Sequence, residues 1–240
     1  VTLVERFADT YLACRAELPE PELIPVVLSR TCVSLLPVAG AGISMFSAAD
    51  LPVPIGASDP EAEQAERLQF TANEGPCWEA HRRSSTVLAT GTVMAGSWPD
   101  FHRRLVASTP FRSILAFPLL GELGGVGSVD LYCRGADEVA RLEIDDVATI
   151  ARMMTDELLA DDVFAGQGGP RWLDGPTATG RNQVLIAMGM LSVAQGLTAE
   201  HALAELRQYA TAIGETVDQV AAAVVARTVD VLDLEMSRVT

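Results

Sequence analysis

Ser113-Ile114-Leu115-Ala116-Phe117-Pro118-Leu119 and Gly127-Ser128-Val129-Asp130-Leu131-Tyr132-Cys133 stand either side of a glycine-rich turn over residues 121–125. Each run is short, apolar and rich in β-formers, so the pair reads as two strands folded back on each other. Upstream, residues 40–47 and 51–57 read as two more strands, joined by Ala48-Ala49-Asp50, and residues 86–90 as a fifth. Helical periodicity surrounds them. Leu3, Phe7, Tyr11, Cys14 and Leu18 share one face of a first helix, which Pro19 and Pro21 stop. Residues 22–36, 59–70, 98–108 and 144–165 follow as further helices, the third opening on Asp59-Pro60 as cap and first position. Helices flanking several antiparallel strands define an α+β domain.

The chain has 240 residues, is 49% apolar and carries a net charge of −15. All 17 basic residues are Arg, against 32 acids. Such a chain repels phosphate backbones at long range, which excludes general nucleic-acid affinity and leaves only a local, fitted patch. Cys14, Cys32, Cys77 and Cys133 are widely spaced in apolar contexts and read as reduced core thiols. With His81, His102 and His201 they make no zinc spacing, so neither a metal nor a cofactor is expected. No run approaches the length of a membrane span, and the chain reads as cytoplasmic.

Ile144, Val147, Ala151, Met154 and Leu158 alternate in steps of three and four. That seam suits a dimer contact or packing on the sheet, and the two readings stand even. Residues 166–180, dense in Gly and Pro, read as a linker between residues 1–165 and 181–240. Beyond it the strand signals vanish. Thr198 caps a helix that Gly214 ends, and Thr216-Val217-Asp218-Gln219 is a capping box for the last one.

Four pieces carry a likeness in the first part: Glu74-Gly75-Pro76-Cys77, Trp98-Pro99-Asp100-Phe101, and the two strands quoted above. Together, in this order, they resemble a GAF domain of the kind that precedes ANTAR in actinobacterial regulators. The resemblance implies a six-stranded antiparallel sheet with helices on one side and a small-molecule pocket on the other. The residues themselves are consistent with it. Gly75-Pro76 turns the chain sharply and aims Cys77 and Trp78 inward, where Trp98, Phe117, Leu131 and Tyr132 are candidates to line one apolar cavity with them. Taken singly, each reads more readily as a core residue, and the pocket is an expectation about the group only. A thiol enzyme has a foothold in Cys77, with His81 one helical turn on as base, but no neighbouring cysteine to resolve a disulfide. No catalytic role is expected.

In the last quarter, Ala187-Met188-Gly189-Met190-Leu191, then Ala202, Leu206-Arg207 and Ala210, then Val220-Ala221 and Val224-Val225 follow in order. They resemble the ANTAR domain, a three-helix RNA-binding bundle of antitermination regulators. The resemblance implies close helix packing at Ala187, Gly189, Ala202, Ala210 and Ala221, and RNA contact at Arg207 and Tyr209; for Arg207 an intramolecular salt bridge, within the bundle or to the first domain, stands even with it. A guanidinium forks onto phosphate and an aromatic ring stacks on a splayed base. From residue 181 onward four Arg face seven acids. The expectation is a homodimeric regulator in which an unidentified GAF ligand controls binding to RNA with paired stem-loops, with neither DNA nor membrane as partner. The alternative is a dimeric ligand sensor or protein-binding adaptor whose bundle has lost RNA.

Overall fold

The computed structural model describes residues 2–160 and 170–234. Thr2 and Glu5 close a capping box on α1 (Leu3–Glu17), and α2 (Ile24–Leu35) follows. The sheet is built from β1 (Gly40–Phe46), β2 (Pro52–Ala57), β3 (Val87–Ala89), β4 (Ser113–Pro118) and β5 (Gly127–Cys133). Between them lie α3 (Pro60–Ala72), α4 (Pro76–Arg83), α5 (Gly91–Ser97) and α6 (Pro99–Ser108). After β5 come α7 (Ile144–Ala160), α8 (Pro176–Gln195), α9 (Ala199–Ile213) and α10 (Val217–Val225).

The sheet order is β2-β1-β5-β4-β3 and every pairing is antiparallel. The two quoted strands are central neighbours, with Leu115 opposite Leu131 and Ile114 opposite Tyr132. Among the described residues the sheet has five strands, not the six that the family likeness implied. Nor are the helices on one side only. One face packs on α1, α2 and α7 through Phe7, Leu28, Ile43, Leu115, Val129 and Leu131. The other face packs on α3, α5 and α6 through Ile114, Tyr132, Phe111, Phe101 and Leu105. Residues alternate between faces along each strand, so a sheet covered on both sides reads as continuously apolar.

The seam on α7 serves the core. Val147, Ala151, Met154 and Leu158 are buried in the cluster under β1, β4 and β5, and only Ile144 stays out, at 49% exposure. This corrects the dimer reading of that face: the sheet takes the stripe first. Residues 161–165, expected to finish the helix, and 166–169 of the expected linker lie outside the described residues. Residues 171–174 form a 3-10 turn with Trp172 buried, and α8 begins at Pro176, inside the stretch expected as linker. Pro at the first position suits a helix start, because that N–H has no intrahelical partner to lose.

α8, α9 and α10 pack on one another around Val184, Ala187, Leu191, Ala202, Leu206, Ala210, Val220, Ala221 and Val224. Ala187, Ala202, Ala210 and Ala221 are buried as expected of packing positions. Gly189 is not: it is exposed, with nothing within 4 Å of the place a Cβ would take. The buried face of α8 runs 184-187-188-191, and residue 189 lies off it. The caps at Thr198 and Thr216-Gln219 and the left-handed Gly214 form as read. No helix among the described residues is long and apolar enough to cross a membrane.

Candidate functional site

One helix, α3, organises the polar interior. Its Asp59 cap accepts from the Ala62 N–H, and the helix ends at Asn73 in the left-handed region. Gly75 follows at φ 151, where a Cβ would collide with the Gln69 side chain. That turn swings α4 inward, so Cys77 and Trp78 are buried, as expected. The Cys77 N–H donates to Gln69 Oε1 at 3.0 Å, and Gln69 Nε2 donates to Asp130 Oδ2. Glu74 Oε1 accepts from the Asp100 and Phe101 N–H groups at 2.8 and 3.0 Å. Three of the four sequence pieces are thereby tied together by side-chain hydrogen bonds.

Glu66, one turn before Gln69 on α3, completes a fully buried network. Ser44 Oγ donates to Glu66 Oε2 at 2.7 Å, and the Tyr132 hydroxyl donates to Glu66 Oε1 at 2.6 Å. Tyr132 also lies 3.4 Å from Asp130 Oδ2. Gly42 lets this happen, since a Cβ there would overlap the Glu66 carboxylate. Burial pushes both carboxyls up, Asp130 well above the usual range because the Glu66 charge adds to it. Burial also pushes the Cys77 thiol well up, and Asp130 and Glu66 add to this. A thiol so placed is a poor nucleophile. His81 does not serve it: its ring stacks on Phe46 at 3.7 Å, and Nε2 sits 2.9 Å from Asp50 Oδ1.

The expected ligand-pocket residues do not share one cavity. Leu131 and Phe117 face the α1/α2/α7 side, and Tyr132 and Cys77 the other, because neighbours in a strand point to opposite faces. Phe117 borders a cavity of about 150 Å³ beside α7. Trp98 borders one of about 570 Å³ beside β3, and Trp78 one of about 450 Å³ against the bundle. Glu66, Gln69 and Ser44, which sequence reading passed over, form the convergent polar group instead. The signal available was Glu66-x-x-Gln69, two polar residues one turn apart on one side of the helix.

The same α3 docks the bundle. Phe70, fully buried, belongs to the bundle's apolar cluster. The Arg181 guanidinium lies 3.4 Å from its ring centroid and that of Arg207 4.8 Å. Arg207 Nε donates to the Phe70 carbonyl at 3.1 Å, and the Val217 N–H donates to Thr71 Oγ1 at 3.0 Å. Arg104 of α6 adds a bond from Nη2 to Thr211 Oγ1 at 2.8 Å. Arg207, for which an RNA contact and an intramolecular salt bridge stood even, is held against the α+β module, through the Phe70 carbonyl and ring rather than through a carboxylate. Burial, with the Arg181 charge beside it, lowers its pKa to about 10. Tyr209 is half-buried and packs on the bundle's own core. Among the described residues no cluster of His, Cys, Asp and Glu suits a metal ion.

No family model matches the sequence, and no curated protein matches it. Solved structures similar to the chain include the GAF domain of a phosphoenolpyruvate-protein phosphotransferase from Coxiella burnetii. It is 12% identical with a TM-score of 0.48, over 65% of this chain and 92% of that one. A domain of a putative two-component sensor histidine kinase protein from Sinorhizobium meliloti 1021 is 15% identical with a TM-score of 0.47, over 61% and 95%. A free methionine-R-sulfoxide reductase from Neisseria meningitidis is 13% identical with a TM-score of 0.41, over 63% and 87%. At these values the likeness is one of general outline. The protein is an α+β module with a five-stranded antiparallel sheet, followed by a docked three-helix bundle.

Proposed function

We propose that the chain is a signal-responsive regulator in which a GAF-like module controls an ANTAR-like, RNA-binding bundle that acts in transcription antitermination. The observation that carries it is the double use of α3. Glu66 and Gln69 fix one side of this helix in the buried polar network, and Phe70 and Thr71 fix the other in the bundle. A shift of α3 in response to a signal changes the balance between docked and released bundles. In the docked state Arg207 is occupied by Phe70; release frees it for phosphate or base contact, and paired bundles hold two stem-loops. The buried, high-pKa Cys77 supports a sensory rather than a thiol-catalytic role for the module.

The test is binding of an RNA carrying two hexanucleotide stem-loops to the whole chain, to Phe70→Ala and to Arg207→Ala. Phe70→Ala is expected to bind more tightly than the unaltered chain, and Phe70→Ala with Arg207→Ala to lose the gain. Absence of binding by Phe70→Ala at low salt refutes the RNA output.

A second reading, a ligand-sensing or protein-binding dimer without RNA affinity, is favoured by the outer face of α8. Leu185, Ile186 and Val193 are exposed, Val193 at 88%, and the only charge on the helix is the buried Arg181. Two copies of a chain with net charge −15 approach with least repulsion across a face that bears none. On either reading we place the homodimer contact on α8. Ile186→Glu is expected to turn a dimer into a monomer in light scattering, and an unchanged dimer removes that placement.

A further inference from the structure

A cavity of about 450 Å³ lies where the α+β module meets the bundle. Leu51 and Trp78 wall it from the module, Met188 and Leu203 from the bundle. Its polar residues are few: Asp50, Asn73, Glu200 and Arg207. This is the size and the mixture of apolar wall and sparse polar groups that small-molecule sites have, at the boundary between units where such sites gather. It is separate from the Glu66–Asp130–Tyr132 network and shares only Trp78 with the pocket read from sequence.

The wall holds donors that have no acceptor. Trp78 Nε1 and Arg207 Nη2 are both buried without a hydrogen-bond partner. Arg181, whose guanidinium also contacts Phe70, lies outside the wall and pairs with Asp218 at 3.4 Å. Buried polar groups are almost always bonded, so two orphaned donors on residues of one wall point to an acceptor that binds there. Of the two acids in the wall, Asp50 is already engaged by His81, and Glu200 stands exposed in the first turn of α9. That leaves Arg207 as the cation of the wall.

We propose that this cavity binds a small aromatic acid, its flat body against Trp78, Met188 and Leu203 and its anionic group at Arg207. Such a ligand touches both units at once. It stabilises the docked bundle and keeps Arg207 away from RNA. Only that consequence rests on the regulatory reading above; the binding itself does not.

The experiment is a fluorescence titration of the full chain with 8-anilinonaphthalene-1-sulfonate and, in parallel, with N-phenyl-1-naphthylamine, the same aromatic body without the anion. One sulfonate molecule per chain is expected, with the neutral probe binding roughly tenfold more weakly, as a charge-assisted bond to a guanidinium implies. Arg207→Gln is expected to bring the sulfonate down to the level of the neutral probe. Ala199→Trp fills the cavity from the bundle side, and Ala49→Trp from the module side. Both alanines are exposed, so neither change disturbs the core, and each should abolish binding of both probes. Equal binding of the two probes to the unaltered chain overturns the proposal, as does undiminished sulfonate binding by both Trp variants. Probe binding as expected, without RNA binding by Phe70→Ala, leaves the ligand site standing and refutes the RNA output alone.

Discussion

At the scale of residues, the buried carboxyl pair dictates how stability depends on pH. Asp130 is raised by burial and by the Glu66 charge, and Glu66 is raised by burial. A folded pKa above the unfolded value means the folded state holds its proton longer. Stability is then full below the unfolded pKa, near 4, and falls as pH rises toward and through the folded values. The thermal midpoint of the unaltered chain should therefore fall between about pH 5 and pH 8, with a slope of up to about 1.4 kcal/mol per pH unit for each proton lost. Asp130→Asn keeps an acceptor for Gln69 and removes one titration, so its midpoint should be flatter over the same range. Parallel curves for the two proteins would show that Asp130 is ionised in the fold. Thiol reactivity is a second reading of the same interior. Burial raises Cys32 to about 12, Cys133 to about 11 and Cys77 well above its usual value, whereas Cys14 is only half-buried. Iodoacetamide at pH 8 should label Cys14 and leave the other three orders of magnitude slower, since the thiolate is the reactive form. Rapid labelling of Cys77 would revive a thiol enzyme.

At the scale of elements, the proposed release of the bundle turns on α3. Truncating a buried Phe costs about 3–5 kcal/mol, and Phe70 belongs to the bundle's apolar cluster. In Phe70→Ala, amide hydrogen exchange should speed up across α8–α10 while the protection of β1, β4 and β5 changes little. Uniform loss across both would mean one cooperative core without a separable output. How the elements were legible follows from what each is made of. The central strands were plain because β4 and β5 are apolar on both faces, yet that same continuity hid which residues face which way. Alternation along Leu131 and Tyr132 would have parted them, and with them the single pocket. α5 went unread because Gly91 and Gly96 lower its intrinsic propensity; its Thr90 cap and the burial of Met94 make it. The seam on α7 was readable, its partner was not, since a stripe at helical spacing does not say whether a sheet or a second chain covers it. Arg207 and Phe70 are 137 residues apart, and nothing in either segment announces the other.

At the scale of the whole molecule, charge sets the terms for any RNA partner. The net charge of −15 opposes a polyanion, and within the described bundle Arg181 is buried, Arg207 is pinned to Phe70 and Arg227 is exposed. Each phosphate neutralised releases counterions and adds about 0.7 to the slope of log affinity against log salt for a single-stranded loop. Among the described residues a docked bundle offers Arg227, and a released one adds Arg207 and, with deeper opening, Arg181. For a dimer gripping two loops, these cations give a slope between about −1.4 and about −4.2, well short of the −10 of strongly basic binders. Phe70→Ala should steepen it by about 1.4, one extra contact per bundle, and Arg207→Ala in that background should return it to the starting value. This separates release from a general rise in affinity: a tighter complex with an unchanged slope would mean that Phe70→Ala exposes apolar or stacking surface and that Arg207 never reaches phosphate. On the proposed RNA output the small number of cations has a meaning: with so few, binding requires that shape and base contacts supply the rest, and withholding one guanidinium against α3 is then a large fraction of the electrostatic contribution.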